Sequence, residues 1–530
     1  MKKFAYLMAA FLVAMTGCQK EEAQNKLKDE IAVGENIYMK FKIQAVDTRS
    51  GSDGTVDGNN DFNGPGNTNS DATPDYEVGK DYENTISSIN IVLRNANKFI
   101  VASNVDLSSD DPNKQTWVAT FNSGSIAANE QYDVYIYANC SAPQDLHHVS
   151  SESIANMTNP DNFWMTNAYT PRKVTLPALS TDPADPADLG SHFVERSMAR
   201  FDYMATKTNN VYEFTGDNAG ITVTLTHAAI INQSKKFYLL RHATMSGNST
   251  ADNNVVVGYP EIASNYVVDT DWAEKSAAFT SKVYTDVAAN FDHHLTSDYK
   301  DWPWKSLSSL SEVDNWGDAD SDGGATGIEE TPSHAYTGYQ IFGYVKENTL
   351  PDVNSQVNGM STGVVFKGQI TGTVVPSGEE EKADIYMFDG KLYGVWANVV
   401  AASATSEVLK YYVEKFGNTI EDGEHAALTA AGFTRYSAET DGNYYAYYYY
   451  WNRHKDNEDN KEMDDMEFAV VRNNVYKLCV DYISKLGHPV PGNDDPDSVD
   501  NDDPDESGEY YFGVTVKVVP WVVRVNHIGW

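Results

Sequence analysis

The chain has 530 residues, of which 41% are hydrophobic and 12% aromatic, enough for about two to four domains with sizeable cores. Against 39 Lys and Arg stand 76 Asp and Glu, a formal net charge of −37. A chain this acidic repels nucleic acid and anionic membrane surfaces, which excludes nucleic-acid binding, and its aromatic content argues against disorder outside local stretches.

The first 18 residues have the pattern of a lipoprotein signal. Lys2 and Lys3 precede an apolar run over residues 4–15, which is too short to span a bilayer permanently. Small residues then precede Cys18, so we predict cleavage after residue 17 and a Cys18 that carries fatty-acyl (palmitate) chains. An ordinary signal peptide with a chance cysteine is the alternative. No later apolar run is long enough to predict a transmembrane helix.

A first strand is predicted after this tether. Apolar and polar residues alternate along IYMKFKIQA, the period of a half-buried strand. Arg49 follows the strand, and the chain from Ser50 to Asp75 is rich in Gly, Asn, Asp and Ser, which predicts an exposed loop. The apolar positions of the strand are Ile37, Met39, Phe41, Ile43 and Ala45.

Short strands rich in Val, Tyr, Thr and Phe recur from residue 85 to residue 486, with turn residues between them. This spacing predicts an all-β protein built from sandwiches, with a few short helices. The best helix is predicted over residues 406–416, with Gly417 as its stop. The tyrosine-rich run 444–450 is interpreted as a core strand with a packed outer surface rather than a sugar platform.

The chain ends in a second isolated strand. Residues 487–508 are rich in Asp and Pro, which predicts a flexible, extended linker. The strand after it, 509–530, either folds back on its own domain or pairs with an open strand edge of another molecule. Its apolar positions are Phe512, Val514, Val516 and Val518 before Pro520, then Trp521, Val523 and Val525.

These features resemble the Bacteroidia-type (type V) fimbrillins, the pilins of short, Mfa-like fimbriae. The likeness is most specific over residues 440–530, where YYYYWNRH, RNNVYKLCVDYISKLG, the Asp/Pro linker and VTVKVVPWVVRV follow in the family's order. VERSMARFDY at 194–203 is similar to a strand of the family's first domain. The resemblance to a major fimbrial subunit covers the whole chain in layout only.

The resemblance implies a mechanism of assembly. A lipoprotein precursor reaches the outer membrane, and an Arg-specific, trypsin-like protease cuts between Arg49 and Ser50. The first strand leaves, and the last strand of a neighbouring copy fills the opened groove, so copies chain head to tail in a cell-surface fimbrium that serves adhesion and biofilm formation. Accessory, tip and anchor fimbrial subunits are the other implied partners.

The fold implied by the resemblance is all-β, with two transthyretin-like β-sandwich domains in tandem and a donor strand on a flexible linker. The expected segments are a signal peptide (1–17), a propeptide with the removable strand (18–49), an N-terminal domain (50–235), a C-terminal domain (236–486), the linker (487–508) and the donor strand (509–530).

Simpler interpretations remain open. Arg49 is then an ordinary surface arginine, and the last strand completes its own second domain. At the level of function, the alternatives are a surface glycan-binding lipoprotein of a nutrient-uptake system, which would keep its lipid, and an accessory or tip pilin of the same family. A shaft subunit needs both a removable first strand and a donor last strand, and the chain offers a candidate for each.

No catalytic constellation is found in the sequence. GMSTG at 359–363 matches a nucleophile elbow, but a strand pattern follows where that elbow needs a helix. The His pairs at 147–148 and 293–294 have no third ligand at a suggestive spacing. Cys140 and Cys479 are expected to be buried single cysteines. The chain is therefore predicted not to be an enzyme.

One stretch, DADSDGGATGIE, matches the spacing of a calcium loop. Pro332 prevents the helix that would complete an EF-hand, and a solvated acidic loop is the alternative. No other cofactor is predicted. The candidate calcium ligands are Asp318, Asp320, Asp322 and Glu329, with Gly323 at the turn.

Overall fold

The structure is a computed structural model that describes residues 34–45, 79–111, 114–244, 255–257, 266–308, 339–377, 383–454, 463–491, 500, 502–505 and 512–520. In these ranges the chain is mostly β-sheet with a few short helices, which confirms the predicted all-β class. Within the same ranges, no helix combines the length and the hydrophobicity needed to cross a membrane.

The strands of the first part alternate buried and exposed residues, as half-buried strands do. Their bounds are β1 (Asn36–Ala45), β2 (Ile89–Arg94), β3 (Phe99–Val101), β4 (Asn104–Leu107), β5 (Thr116–Asn122), β6 (Gln131–Ala138), β7 (Val149–Ser150), β8 (Met165–Asn167), β9 (Arg172–Thr175) and β10 (Ala187–Arg196).

All of these strands except β7 form one nine-stranded sheet among the described residues. Its order is β3-β2-β6-β8-β10-β1-β5-β4, and β9 pairs with β6 beside this path. The buried faces of β1, β2, β5 and β6 enclose one apolar cluster, the first core. The first strand of the chain therefore lies inside the sheet and not at its edge.

The second part of the described chain contributes a further set of mostly short strands. They are β11 (Ala199–Ala205), β12 (Val211–Glu213), β13 (Ile221–Ile231), β14 (Gln233–Ser234), β15 (Phe237–Tyr238), β16 (His242–Thr244), β17 (Val255–Val257), β18 (Phe291–Asp292), β19 (Lys305–Ser306), β20 (Gln340–Val345), β21 (Gly363–Gly372), β22 (Ile385–Phe388), β23 (Lys391–Val395), β24 (Phe433–Tyr436), β25 (Tyr444–Trp451), β26 (Asn474–Ile483) and β27 (Phe512–Pro520).

Two of the sheets in this part share one core. The first has the order β20-β11-β26-β27, and the second has the order β12-β13-β21-β25 with β19 paired to β13. Buried apolar residues of both sheets belong to a single cluster, with Phe201 and Leu478 from one sheet and Val223 and Phe366 from the other. The two sheets are thus layers of a sandwich. The pairs β14 with β18, β15 with β7, and β16 with β17 complete the pairing.

The helices are short, and the two longest have 10 residues each. Their bounds are α1 (Asp81–Asn84), α2 (Ile154–Met157), α3 (Trp272–Ser281), α4 (Thr285–Ala288), α5 (Trp396–Ala402), α6 (Glu407–Phe416) and α7 (His425–Thr429), with 3₁₀ turns at Thr208–Asn210, Gly216–Asn218, Tyr299–Asp301, Val353–Ser355 and Asp422–Glu424.

Helix α6 confirms the helix predicted over residues 406–416. The Ser406 side chain accepts a hydrogen bond from the backbone N–H of Leu409 at 3.3 Å, which caps the first turn. Gly417 ends the helix with φ at 87°, in the region that favours glycine. The buried residues Leu409 and Phe416 join an apolar cluster with β22, β24 and α5, so this helical module packs on the sheet β23-β22-β24.

The chain changes sheets between Arg196 and Ala199. Strand β10 belongs to the nine-stranded sheet, and β11 pairs with β20 and β26 of the sandwich. The resemblance implies a domain boundary at residue 235, whereas the chain passes from one sheet to the next before Ala199. The division of the chain into domains stays a prediction.

Four charged side chains are buried where these sheets meet, and we call them the buried ion cluster: Arg200, Glu83, Asp202 and Lys477. The Arg200 guanidinium lies 2.8 Å from the carboxylates of both Glu83 and Asp202, and the Lys477 ammonium lies 3.2 Å from Asp202. None of the four is more than 1% exposed at its side chain. The cluster joins α1, β11 and β26, which are distant in sequence.

Part of the acidic segment 487–508 packs on the body, which corrects the expectation of a wholly unpacked linker. Asp502 forms an ion pair with Lys282 at 2.6 Å. The Asp505 backbone N–H donates to the Gln356 carbonyl at 3.1 Å, and Asp505 is 2% exposed. The composition of the segment predicts repulsion among its carboxylates. It does not reveal that Lys282 and the Gln356 carbonyl hold two of its aspartates on the body.

Candidate functional site: the first strand, its neighbours and the last strand

Strand β1 is hydrogen-bonded on both sides. It runs antiparallel to β5, from Asn36 opposite Asn122 to Lys42 opposite Thr116. On its other side it runs parallel to β10, from Met39 opposite Ala187 to Ala45 opposite Val194, with an irregularity between Lys40 and Lys42. We call the space that β1 fills between β5 and β10 the first-strand seat.

The predicted alternation of β1 is observed. Ile37, Met39 and Phe41 are 0% exposed and Ile43 is 1% exposed, and only Ala45 of the predicted apolar set is half-buried. Burying four large apolar side chains stabilises the folded chain by about 6–12 kcal/mol before the ordering of the strand is counted. The first strand is therefore a main contributor to the first core.

The wall of the first-strand seat is itself apolar. Ile37, Met39 and Phe41 lie directly opposite three residues of β5 in the antiparallel register, so each pair shares one face of the sheet. Their partners are Phe121, Ala119 and Trp117, all at most 3% exposed.

Removing β1 would therefore expose these apolar side chains and two unpaired strand edges about 9–10 Å apart.

The outward face of β1 makes weaker contacts. Lys40 lies 3.2 Å from the Asp188 carboxylate, and the two side chains are 40% and 60% exposed. The Gln44 amide donates to the Gln115 side chain at 3.2 Å. Exposed contacts of this kind contribute little to stability, so the buried face and the backbone ladder hold the strand.

His192 of β10 lies beside the first strand, opposite Ile43. Its ring centroid is 5.6 Å from that of Phe41, and the residue is 3% exposed. Burial lowers the pKa of His192 to about 4; the Leu189 carbonyl, 3.3 Å from its Nε2 atom, acts against this shift, and the Arg172 charge adds to it. The folded chain therefore holds this imidazole neutral, whereas the unfolded chain protonates it near pH 6.5.

The stability of the folded chain is expected to fall as the pH drops from 6.5 to 4. In this range His192 binds a proton in the unfolded state, whereas the buried imidazole of the folded state stays neutral. Between pH 7 and pH 5 this residue alone lowers the free energy of unfolding by about 2 kcal/mol. Urea unfolding at both pH values measures the effect. His192→Phe should reduce the pH dependence by the share of His192, about 2 kcal/mol, while buried His242, whose pKa is likewise lowered to about 4, still contributes. His148→Gln, at an exposed position, should leave the pH dependence unchanged. An unchanged slope in His192→Phe would contradict the assignment.

The last strand pairs within its own chain. Strand β27 runs antiparallel to β26, with Val514 opposite Val480, Val516 opposite Leu478 and Val518 opposite Tyr476, whereas Phe512 is opposite Ile483 beyond an irregularity. Val514 is partly buried against the sandwich core. Strand β27 lies at the edge of its sheet, so it can leave without interrupting any other described pairing.

The structure places the two predicted strands apart, β1 in the nine-stranded sheet and β27 in the sandwich. The remaining predicted site residues lie outside the described residues: Cys18, Arg49, Ser50, Trp521, Val523, Val525, Asp318, Asp320, Asp322 and Glu329.

Within the described ranges, no three His, Cys, Asp or Glu side chains form a group that could hold a metal ion. Cys140 and Cys479 are both buried, and neither forms a disulfide with another described residue, as expected. Burial raises the pKa of the Cys140 thiol, which makes it a poor nucleophile.

Sequence reasoning missed the neighbours of the first strand. The parallel pairing with β10 joins segments separated by most of the first domain, and no local pattern signals it. The alternation in TWVATF, which becomes β5, predicts a strand but not its partner. The sequence around His192 gave no signal either, because the lowered pKa of its imidazole depends on burial beside Phe41, which is distant in sequence.

Known proteins support the class of this chain. Residues 442–527, which span β25, β26 and β27, match the profile of the family described as "Major fimbrial subunit protein type IV, Fimbrillin, C-terminal". No curated protein matches the chain. The chain thus combines a β-sandwich fold with a C-terminal segment similar to that of major fimbrial subunits.

The C-terminal segment of the chain therefore matches the fimbrillin family that the resemblance predicted. This family comprises structural and adhesion proteins of cell-surface fimbriae and is not an enzyme family.

Several solved structures are similar to the chain. A protein of Parabacteroides distasonis described as a cell adhesion protein is 12% identical, with a TM-score of 0.41, over 92% of this chain and 100% of that one. A fimbrilin (FimA) of Porphyromonas gingivalis is 13% identical, with a TM-score of 0.34, over 93% and 99%. The tip fimbrial protein Mfa3 of Porphyromonas gingivalis is 10% identical, with a TM-score of 0.32, over 92% and 100%. TM-scores this low carry no argument about function.

Proposed function

We propose that the chain is a structural subunit of a pilus shaft, made as an outer-membrane lipoprotein through Cys18 and activated by cleavage between Arg49 and Ser50. The observation that carries the proposal is the central position of β1, with four buried side chains and paired edges on both sides. Loss of such a strand leaves a seat that only another strand can fill.

The last strand is the proposed donor. In the single chain β27 is the edge strand of its sheet, so it forms backbone hydrogen bonds with β26 on one side only. A seat between β5 and β10 would offer it backbone partners on two sides and an apolar wall. Because the seat and the donor lie on different sheets, the contact between copies is head to tail and generates a filament.

The proteolytic step is tested by N-terminal sequencing of surface-extracted protein and by a denaturing gel run without boiling. A start at Ser50 and a ladder of multimers are expected. Arg49→Ala should keep the earlier start and remain monomeric, whereas Arg94→Ala, at the next and exposed arginine, should behave as wild type. A lipidated start at Cys18 in a monomeric wild-type protein would contradict the proposal.

The donor role is tested by deletion of residues 510–530. The shortened chain is expected to fold, to be processed at Arg49 and to form no fibres alone. Mixed with wild type, it should shorten the fibres, because it accepts a neighbour's strand but offers none. Lys517→Gln, which keeps the apolar positions, is the matched control and should extend fibres normally. Fibres of normal length from the deleted chain alone would refute the donor assignment.

A further inference from the structure

A cavity of about 1060 Å³ opens between the helical module and the outer face of β25, and we call it the aromatic cavity. Its size is at the upper end of the range for small-molecule sites. Its walls come from the 3₁₀ turn at Tyr299, from α7 and from β24, β21 and β25. The side chains that line it include Tyr299, Lys300, Trp304, Lys367, Glu439 and Tyr447.

Tyr299 and Trp304 are half-buried and line the cavity, whereas Tyr447, which also lines it, is only 1% exposed. The Trp304 indole N–H already donates to the Tyr299 carbonyl at 2.8 Å, and the Tyr447 hydroxyl donates to the Glu439 carboxylate. The ring centroids of Trp304 and Tyr447 are 5.9 Å apart, and those of Tyr299 and Tyr447 are 6.2 Å apart. Since the N–H and the hydroxyl are both engaged, a ligand meets mainly the apolar faces of these rings.

The charge of the cavity is opposite to that of the chain. Acidic residues outnumber basic ones 76 to 39 overall, yet the lining contains Lys300, Lys367 and Arg435 against the single carboxylate of Glu439. Arg435 is paired with Asp384 at 3.0 Å and Lys367 with Glu439 at 2.7 Å. Lys300 is exposed and has no carboxylate partner among the described residues. A cation without a carboxylate partner in the lining of a cavity, within so acidic a chain, favours an anionic ligand.

The polar groups of the cavity are fixed before any ligand arrives. Glu439 accepts hydrogen bonds from both Lys367 and Tyr447, and the Lys367 ammonium lies 3.8 Å from the centroid of the Tyr445 ring. The Nδ1 atom of His425 is buried and has no hydrogen-bond partner among the described residues. A buried polar atom in a cavity wall is usually satisfied, so this one offers a partner to a ligand.

We propose that the aromatic cavity binds a saccharide that carries a carboxylate. Its ring packs on Trp304 and Tyr299, and its hydroxyl groups hydrogen-bond to the Lys367–Glu439 pair and to His425. Its carboxylate lies against Lys300. Such a ring has an apolar C–H face and a polar rim of hydroxyl groups, which is the combination that aromatic faces beside a fixed ion pair recognise. An acidic peptide could pair with Lys300, but it has no apolar C–H face for the aromatic rings and no set of hydroxyl groups for the Lys367–Glu439 pair.

The test is a titration of the purified full-length chain, followed by ligand-observed NMR. The probes are methyl β-glucuronide and N-acetylneuraminic acid, with methyl β-glucoside as the neutral match and an acidic Asp/Glu peptide as the competing class. Binding of one or both acidic sugars at concentrations up to about 10 mM is expected, with the neutral sugar and the peptide at least about tenfold weaker, since a hydrogen bond to a charged group contributes that much.

Two variants locate the site. Lys300→Gln should weaken acidic-sugar binding at least about tenfold and bring it towards that of the neutral sugar, and Trp304→Ala should abolish it. Lys410→Gln and Tyr411→Ala, exposed on α6 and outside the cavity lining, are the matched controls and should bind as wild type. Circular dichroism checks that each variant is folded, and Lys300→Gln changes only an exposed side chain.

The proposal is overturned if neither acidic sugar binds, if the glucoside binds as well as the glucuronide, or if the peptide binds best. Unchanged sugar binding in Lys300→Gln overturns the assignment to this cavity. None of these outcomes depends on fibre formation, so the inference and the proposed assembly function fail independently.

Discussion

Replacing Arg200 by methionine is expected to lower the free energy of unfolding by about 3–5 kcal/mol. Arg200 is fully buried and lies 2.8 Å from both Glu83 and Asp202. Methionine keeps the length of the side chain but removes the charge, so two carboxylates remain buried with Lys477 as the only other cation of the buried ion cluster. An uncompensated buried charge destabilises far more than a lost surface pair.

Urea unfolding near pH 7 measures this change, with Lys40→Met as the matched control. Lys40 also pairs with a carboxylate, but the two side chains are 40% and 60% exposed, so its replacement should change stability by less than about 1 kcal/mol. Adding Glu83→Gln to Arg200→Met should recover part of the loss. Equal effects of Arg200→Met and Lys40→Met would show that the cluster does not hold the junction.

A chain that begins at Ser50 is expected to be several kcal/mol less stable than one that begins at Gly34, because it lacks the four side chains that β1 buries, worth about 6–12 kcal/mol before ordering. A synthetic peptide of residues 36–45 should restore stability in trans by occupying the first-strand seat, since a ligand that binds only the folded state raises its apparent stability. Thermal unfolding with increasing peptide measures this directly.

The control peptide carries serine at Ile37, Met39, Phe41 and Ile43 and should give no stabilisation. If the chain from Ser50 unfolds at the same temperature as the longer chain, or if both peptides act equally, β1 is not a separable part of the first core. If only the native peptide stabilises, the seat accepts a strand from outside the chain, which is the physical requirement for strand exchange between copies.

The sequence predicted those strands and helices whose formation is decided by neighbouring residues. The alternation along IYMKFKIQA gave β1 almost residue for residue, and the N-cap Ser406 with the stop at Gly417 gave α6. The all-β class followed from the spacing of Val- and Tyr-rich runs. In each case the side chains that decide the structure are neighbours in sequence.

The parts that could not be predicted depend on residues far apart in sequence. No local pattern around Glu83 or Asp202 signals that β11 and β26 bring Arg200 and Lys477 to them. Strand pairing is likewise decided by the whole sheet, so the parallel neighbour of β1 had no local signature. The candidate site was therefore predicted as two strands, and the seat between β5 and β10 required the structure.

The docked part of the acidic segment limits how far the last strand can travel. Only six residues separate Asp505, which is held on the body, from Phe512, where β27 begins. Fully extended, that stretch spans at most roughly 25 Å. While Asp505 stays in place, β27 can begin to pair only within this radius of Asp505, so the docked aspartates set the maximum reach of the last strand.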